Sequence, residues 1–272
     1  MKFKIHVSSE SARKFNPNNT PSNFKTIFNN PIVLDQGKRY LIGLDSITTM
    51  TYSWYNINKQ YKNNKIQFGV LSVKPDGVLS AKPDGSFDIT YYSIEFPPAS
   101  FTYDDINEYI QDILLINGKD KDAIKVEFDY GRFKCRLTIK AGYVLDLRNS
   151  TFCDLIGFED KLYGFTDKLE DFSVFGTKTP NITNSIDTIY IHCDLTSNSV
   201  VDGNWGDVIY CLSTANLSRS FPFTVEPISK GLSELNKHYI DSITIHMTDV
   251  NGRIIDLNGV DVSLYLIIEE IS

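Results

Sequence analysis

Four histidines, four cysteines and a surplus of carboxylates are the side chains of this sequence that could hold a metal, attack a carbonyl or pass a proton. His6, His192, His238 and His246 are scattered. None has the H-x-x-x-H spacing that puts two imidazoles on one helix face for zinc. Asp194 follows His192 by two residues and Asp249 follows His246 by three. Such spacings arise by chance in an acidic chain, so the histidines read as ordinary strand or surface residues. Cys135, Cys153, Cys193 and Cys211 form no C-x-x-C pair. They read as four buried thiols serving as small hydrophobes, three in strands and Cys153 on an apolar helical turn. No Gly-x-Ser-x-Gly elbow, Cys/His signature or glycine-rich phosphate loop occurs, and Gly203-Asn-Trp-Gly206 reads as a turn. Residues 249–256 echo a calcium loop but lack its acidic frame and terminal Glu, so a hairpin turn accounts for them more simply. Asp104 and Asp105 read as a helix start, and Glu269 and Glu270 as strand-end charges that discourage edge pairing. These residues give no catalytic group, no metal ligand and no cofactor, and the chain reads as a non-enzyme.

One cluster is of another kind. Tyr52, Trp54 and Tyr55 fall together, and exposed Trp and Tyr are typical anchors of protein interfaces. The alternative is a core corner where a strand leaves its sheet. Both readings stay open at this point.

Period-2 alternation dominates the elements that must carry these residues. Strands are expected at 2–8, 24–32 (ending near Pro31) and 40–50, the last with its buried face switching near Asp45. The middle of the chain adds strands at 65–71 and 86–96. Between them lies a tandem repeat, Val-Leu-Ser-Val-Lys-Pro-Asp-Gly at 70–77 and Val-Leu-Ser-Ala-Lys-Pro-Asp-Gly at 78–85. Pro-Asp-Gly favours turns, which suggests hairpin tips or a duplicated loop. A helix is expected over 102–116, with Ile106, Ile110, Ile113 and Leu114 on one face and Gly118 as its stop. Strands at 124–130 and 132–139 join in a tight hairpin at Tyr130-Gly131, a strand follows at 143–147, and a short helix at 150–156 is capped by Ser150 and closed by Gly157. The last third returns to strands near 188–194, 207–213, 220–226, 240–248 and 262–269. The final pair is joined through Asn251-Gly252, a strong hairpin signal. Three strands before the middle and five after it make about eight, the number in one jelly roll. The expected architecture is all-β: a single jelly-roll β-sandwich built from 1–58 and 186–272, with a small α+β subdomain inserted at 59–185.

Composition narrows the function. The chain has 272 residues, 42% hydrophobic, 22% charged and 12% aromatic, with a formal charge of −7. That is a globular chain. Without a basic stripe it is a poor ligand for nucleic acid, where affinity comes from neutralising phosphates. The first residues hold no apolar signal-peptide core, and no run approaches a spanning helix. No membrane insertion and no secretion are expected, so the sequons at Asn18, Asn181 and Asn216 are incidental.

Several segments taken in order resemble a known family. They are 15–24 (Phe-Asn-Pro-Asn-Asn-Thr-Pro-Ser-Asn-Phe) leading into 30–34 (Asn-Pro-Ile-Val-Leu), then 40–47 (Tyr-Leu-Ile-Gly-Leu-Asp-Ser-Ile) and 53–57 (Ser-Trp-Tyr-Asn-Ile). Later come 144–147, 155–158 (Leu-Ile-Gly-Phe), 189–194 (Ile-Tyr-Ile-His-Cys-Asp) and 243–259, which starts Ile-Thr-Ile-His-Met-Thr-Asp. Their order and spacing resemble the minor capsid, or penton, proteins of Maverick/Polinton elements and adintoviruses, and more distantly those of virophages. The resemblance implies a structural virion protein with a single jelly roll that forms homopentamers at icosahedral vertices. It implies a double jelly-roll major capsid protein as neighbour, and a virion reached after synthesis in the host cytoplasm, with assembly in the nucleus an option. The tandem Pro-Asp-Gly repeat departs from the family. An outward subdomain could touch a host receptor. The rival reading is a carbohydrate- or receptor-binding jelly-roll module, since fold alone does not fix function.

Overall fold

Alternating apolar and polar side chains put every second residue of a strand on one face, and this chain uses that pattern from its first residues. The structure is a computed structural model describing residues 1–50, 54–72, 87–165, 170–184, 186–201, 203–214 and 222–271, with backbone alone at 204 and 205. The tandem repeat beyond 72 and Tyr52 lie outside the described residues. In chain order the elements are β1 (Lys2–Ser8), α1 (Ser9–Phe15), β2 (Asn23–Val33), β3 (Arg39–Thr49), β4 (Lys65–Leu71), β5 (Ile89–Glu95), α2 (Tyr103–Ile116), β6 (Ile124–Asp129), β7 (Lys134–Ile139), β8 (Tyr143–Asp146), α3 (Phe152–Ile156), β9 (Leu162–Tyr163), β10 (Phe172–Phe175), β11 (Thr188–Cys193), β12 (Ser199–Val201), β13 (Asn204–Gly206), β14 (Val208–Ser213), β15 (Phe223–Val225), β16 (Ser233–Glu234), β17 (Tyr239–Thr248) and β18 (Ser263–Ile271). The fold is all-β, with 46% strand against 11% helix and antiparallel sheets throughout. The chain divides into a terminal unit, Met1–Trp54 with Ser185–Ser272, and a middle unit, Tyr55–Asn184.

The terminal unit holds two main sheets. One runs β1-β18-β3-β15, with β16 added to β3; the other runs β14-β11-β17-β2. Each has an apolar, buried face. Ile5, Val7, Ile42, Leu44, Leu264 and Leu266 are buried on the first, and Ile189, Ile191, Ile243, Ile245 and Met247 on the second. Each such side chain is worth about 1.5–3 kcal/mol when taken from water. The face switch in β3 is a bulge: Tyr265 stands opposite Ser46 and Leu266 opposite Leu44, leaving Asp45 as the extra residue. Ile42 and Leu44 before it and Ile47 after it therefore all point inward. Asp45 itself pairs with Lys4 and Lys230.

Several expectations are corrected here. β2 runs through Pro31 to Val33, because it is an edge strand and its ladder skips from Ile27 opposite Ser242 to Ile32 opposite Ile240. A missing N–H is tolerated at such a bulge. Asn251-Gly252 does turn the chain, with Gly252 at φ 73° and the Asp249 carboxylate accepting from the backbone N–H groups of Asn251 and Arg253 at 2.8 and 2.9 Å. It does not join β17 to β18 in a hairpin. Both flanks of β17 are taken by β11 and β2, so the return arm pairs only at Ile254 opposite Thr248 before the chain crosses to the other sheet. Glu269 and Glu270 guard no edge, since β18 lies between β1 and β3; Glu269 pairs with Lys2 and Glu270 with Lys38. Strand β12 pairs antiparallel with β13, so Gly203-Asn-Trp-Gly206 holds a strand as well as a turn at Gly203, φ 81°. Helix α1 has no counterpart in the sequence reading, because only Ser9 and Ala12 are buried in it and no apolar stripe announces it. Arg13 donates to both Asp261 oxygens at 2.6 and 2.7 Å, and Ser9 Oγ to the same carboxylate at 2.6 Å, tying α1 to the segment before β18.

The middle unit has sheets β5-β4-β8-β9 and β10-β7-β6, with α2 against β6. Helix α2 starts where Thr102 and Asp105 form a capping box, which satisfies two backbone donors at once. Ile106, Ile110 and Leu114 share a core with Phe68, Phe96 and Phe152. Two local readings change. The β6–β7 connection spans residues 130–133, with Asp129 opposite Lys134. Helix α3 begins at Phe152 without a side-chain cap, while Ser150 Oγ accepts from the Phe152 N–H at 3.3 Å. Asn56 is wholly engaged: its Nδ2 donates to the carbonyls of Phe101 and Ile182, and its Oδ1 accepts from the Phe101 N–H.

Candidate functional site

Strand pairing gathers what the sequence scatters. His192 on β11 stands directly opposite His246 on β17, on the face away from buried Ile191 and Ile245. Their rings stack with centroids 4.1 Å apart and planes within 10°. The β11–β14 ladder shifts register at this point, Ile191 facing Tyr210 and His192 facing Val208. Such a bulge re-aims neighbouring side chains, and Asp207, just before β14, lies beside the imidazole. Its Oδ1 is 2.7 Å from His192 Nδ1, while Thr248 Oγ1 is 3.0 Å from His192 Nε2. The nitrogen or oxygen ligand atoms of His192, Asp207 and His246 all lie within 4.8 Å of one another. Burial, and then the neighbouring His192, hold the His246 imidazole below its ordinary value, because both favour the neutral ring. His6 and His238 stay outside this cluster, bonded to Ser263 Oγ and to the Lys38 carbonyl. No sequence spacing reports the pairing, since 192 and 246 meet only through register.

The thiols divide differently from expectation. Cys135, Cys153 and Cys193 are buried, but Cys211 on β14 is exposed. Burial pushes Cys135 and Cys193 up to about 12, which leaves them as inert thiols at neutral pH.

Of the aromatic cluster, Trp54 is half-buried and meets Phe223 edge-on at 6.1 Å, and Tyr55 is half-buried at the start of the middle unit. A more exposed aromatic set lies in the middle unit. At the β6–β7 tip Tyr130 is 78% and Phe133 68% exposed. Phe133 holds φ at 50°, an uncommon conformation for a bulky residue. Phe128, stacked on Tyr103 at 4.7 Å, supports Tyr130, and the Arg132 guanidinium lies 4.4 Å from the Phe175 ring centre. The signal was the loop itself, Tyr-Gly-Arg-Phe, where turns ordinarily carry polar residues. The edge strand β2 likewise exposes Ile27 and Val33, with exposed Tyr239 opposite Val33.

No protein-family model and no curated protein matches the chain. A comparison of folds finds the crystal structure of the mavirus penton protein, with 13% sequence identity, a TM-score of 0.48 and coverage of 100% of both chains.

Proposed function

We propose that this chain is a structural virion protein, a penton or minor capsid protein that forms homopentamers at icosahedral vertices. The observation that carries the reading is the strand order. Numbered only among the eight main strands of the terminal unit, the sheets run first-eighth-third-sixth and fifth-fourth-seventh-second. This order supports reading the terminal unit as a single jelly roll wound over two sheets, with the middle unit inserted between its third and fourth strands. Fold does not fix function; the ordered sequence segments that resemble penton proteins supply that step.

In this reading five copies close a ring through a heterologous contact. Tyr52, Trp54 and Tyr55 belong to the proposed interface, and the apolar edge of β2 offers a second surface. A double jelly-roll major capsid protein flanks the ring, and the virion is the destination. The exposed aromatic tip at Tyr130 and Phe133 favours a second role for the middle unit, contact with a receptor or a carbohydrate, since exposed rings stack readily on both.

The test is the mass of the purified protein over a concentration series. One chain is 30.9 kDa, and a five-fold multiple is expected, with five-fold particles by electron microscopy. A monomer at every concentration, even beside the major capsid protein, would overturn the pentamer. A dimer that binds a glycan would replace it with the binding-module reading.

A further inference from the structure

The geometry points to a divalent transition-metal site of the zinc class on the outer face of the sheet β14-β11-β17-β2, with His192 Nδ1, His246 and the Asp207 carboxylate as ligands. One chain supplies all three ligands, so the site depends on neither a pentamer nor a capsid.

Three features carry it. The first is ligand type: two imidazoles and one carboxylate are a common protein donor set for such ions, and they leave coordination positions for water. The second is convergence. Three residues from 192, 207 and 246 bring ligand atoms within 4.8 Å, near the spacing of donors held at about 2.0–2.2 Å from one zinc, and the stacked rings tilt toward each other to aim both lone pairs at the ion. The third is the outer support. A metal-bound imidazole usually donates its other N–H to an oxygen, which fixes the tautomer. Thr248 Oγ1 sits 3.0 Å from His192 Nε2. In the metal-bound form the ring's proton resides on Nε2 and is donated to that hydroxyl, freeing the Nδ1 lone pair for the ion. Rigid placement comes from β11 and β17, both interior strands, and from a ladder bulge that brings Asp207 alongside.

The experiment uses the full chain, stripped with chelator and titrated with Zn²⁺ by calorimetry, with Co²⁺ as an absorbing probe. One equivalent per chain is expected, together with a Co²⁺ spectrum of low coordination number. His192→Gln and His246→Gln should each abolish saturable binding, with far-ultraviolet circular dichroism confirming that the sheets remain. Thr248→Val should weaken binding by about 10–100-fold, while His6→Gln and His238→Gln should leave it unchanged. Absence of saturable binding in the unaltered chain would overturn the site. So would binding that survives in folded His192→Gln, or that is lost equally in His238→Gln.

Discussion

The two units fill their interiors with different side chains. Among the largest wholly buried residues, Phe68, Phe96, Phe152 and Phe158 belong to the middle unit, whereas the terminal unit supplies Phe24 and otherwise aliphatic side chains such as Ile42, Leu44 and Ile47. In the middle unit rings touch rings: Phe96 stacks on Phe152 at 5.0 Å and meets Phe101 and Tyr109 at 5.5 and 4.9 Å. The difference follows from geometry. Long strands with period-2 alternation line a flat interior with branched residues of similar size. Short sheets and a helix leave irregular gaps, which rings fill with large area and a preferred packing angle. The aliphatic interior spreads its stability over many modest contributions, and the aromatic one concentrates it.

The strongest challenge to that contrast is Phe96→Ala. Removing a ring that three others touch is expected to cost about 3–5 kcal/mol, read by urea denaturation and by faster amide exchange in the middle unit. Leu266→Ala, at the centre of the first sheet, is expected near the lower part of the about 2–5 kcal/mol range for such truncations. If it costs more than Phe96→Ala, concentration in rings is the wrong description. Thr102→Ala removes one half of the α2 capping box and is expected to cost about 1 kcal/mol, with exchange rising first in residues 103–106.

A smaller effect is common to both units: acid weakens paired carboxylates, Asp146 in the middle unit and Asp45 in the terminal one. Hydrogen bonds from Lys230 and then Lys4 hold the Asp45 carboxyl below its ordinary value. A depressed carboxyl contributes stability that is present above its unfolded value and is lost as pH falls through the folded one. The terminal unit should therefore weaken from about pH 4 downward. Asp45→Asn should flatten that acid limb, and an unchanged limb would show the pairs to be energetically silent.

Much of this fold was legible because its elements declare themselves locally. The alternation of Phe3, Ile5 and Val7, the stripe of Ile106, Ile110 and Leu114, and the face switch at Asp45 each depend on near neighbours. What escaped depends on distant ones. Asn251-Gly252 promised a hairpin that the occupied flanks of β17 forbid. Pro31 reads as a stop until a bulge and an edge position accommodate it. The histidine stack needs the register of residues 54 positions apart, which no motif encodes. The exposed rings at Tyr130 and Phe133 were visible as residues but not as a surface.

The place of β18 between β1 and β3 has a consequence for how the chain is made. The first sheet lacks its middle until residues 263–271 have left the ribosome, roughly 200 residues after β3. At about 5–20 residues per second that is a wait of roughly 10–40 s. Throughout it, β1 and β3 present unpaired edges to solvent. The middle unit, whose pairings all lie within Tyr55–Asn184, can fold during that interval. Synthesis itself thus sets an order: the insertion matures first, and the strands that frame it wait for the last one to arrive.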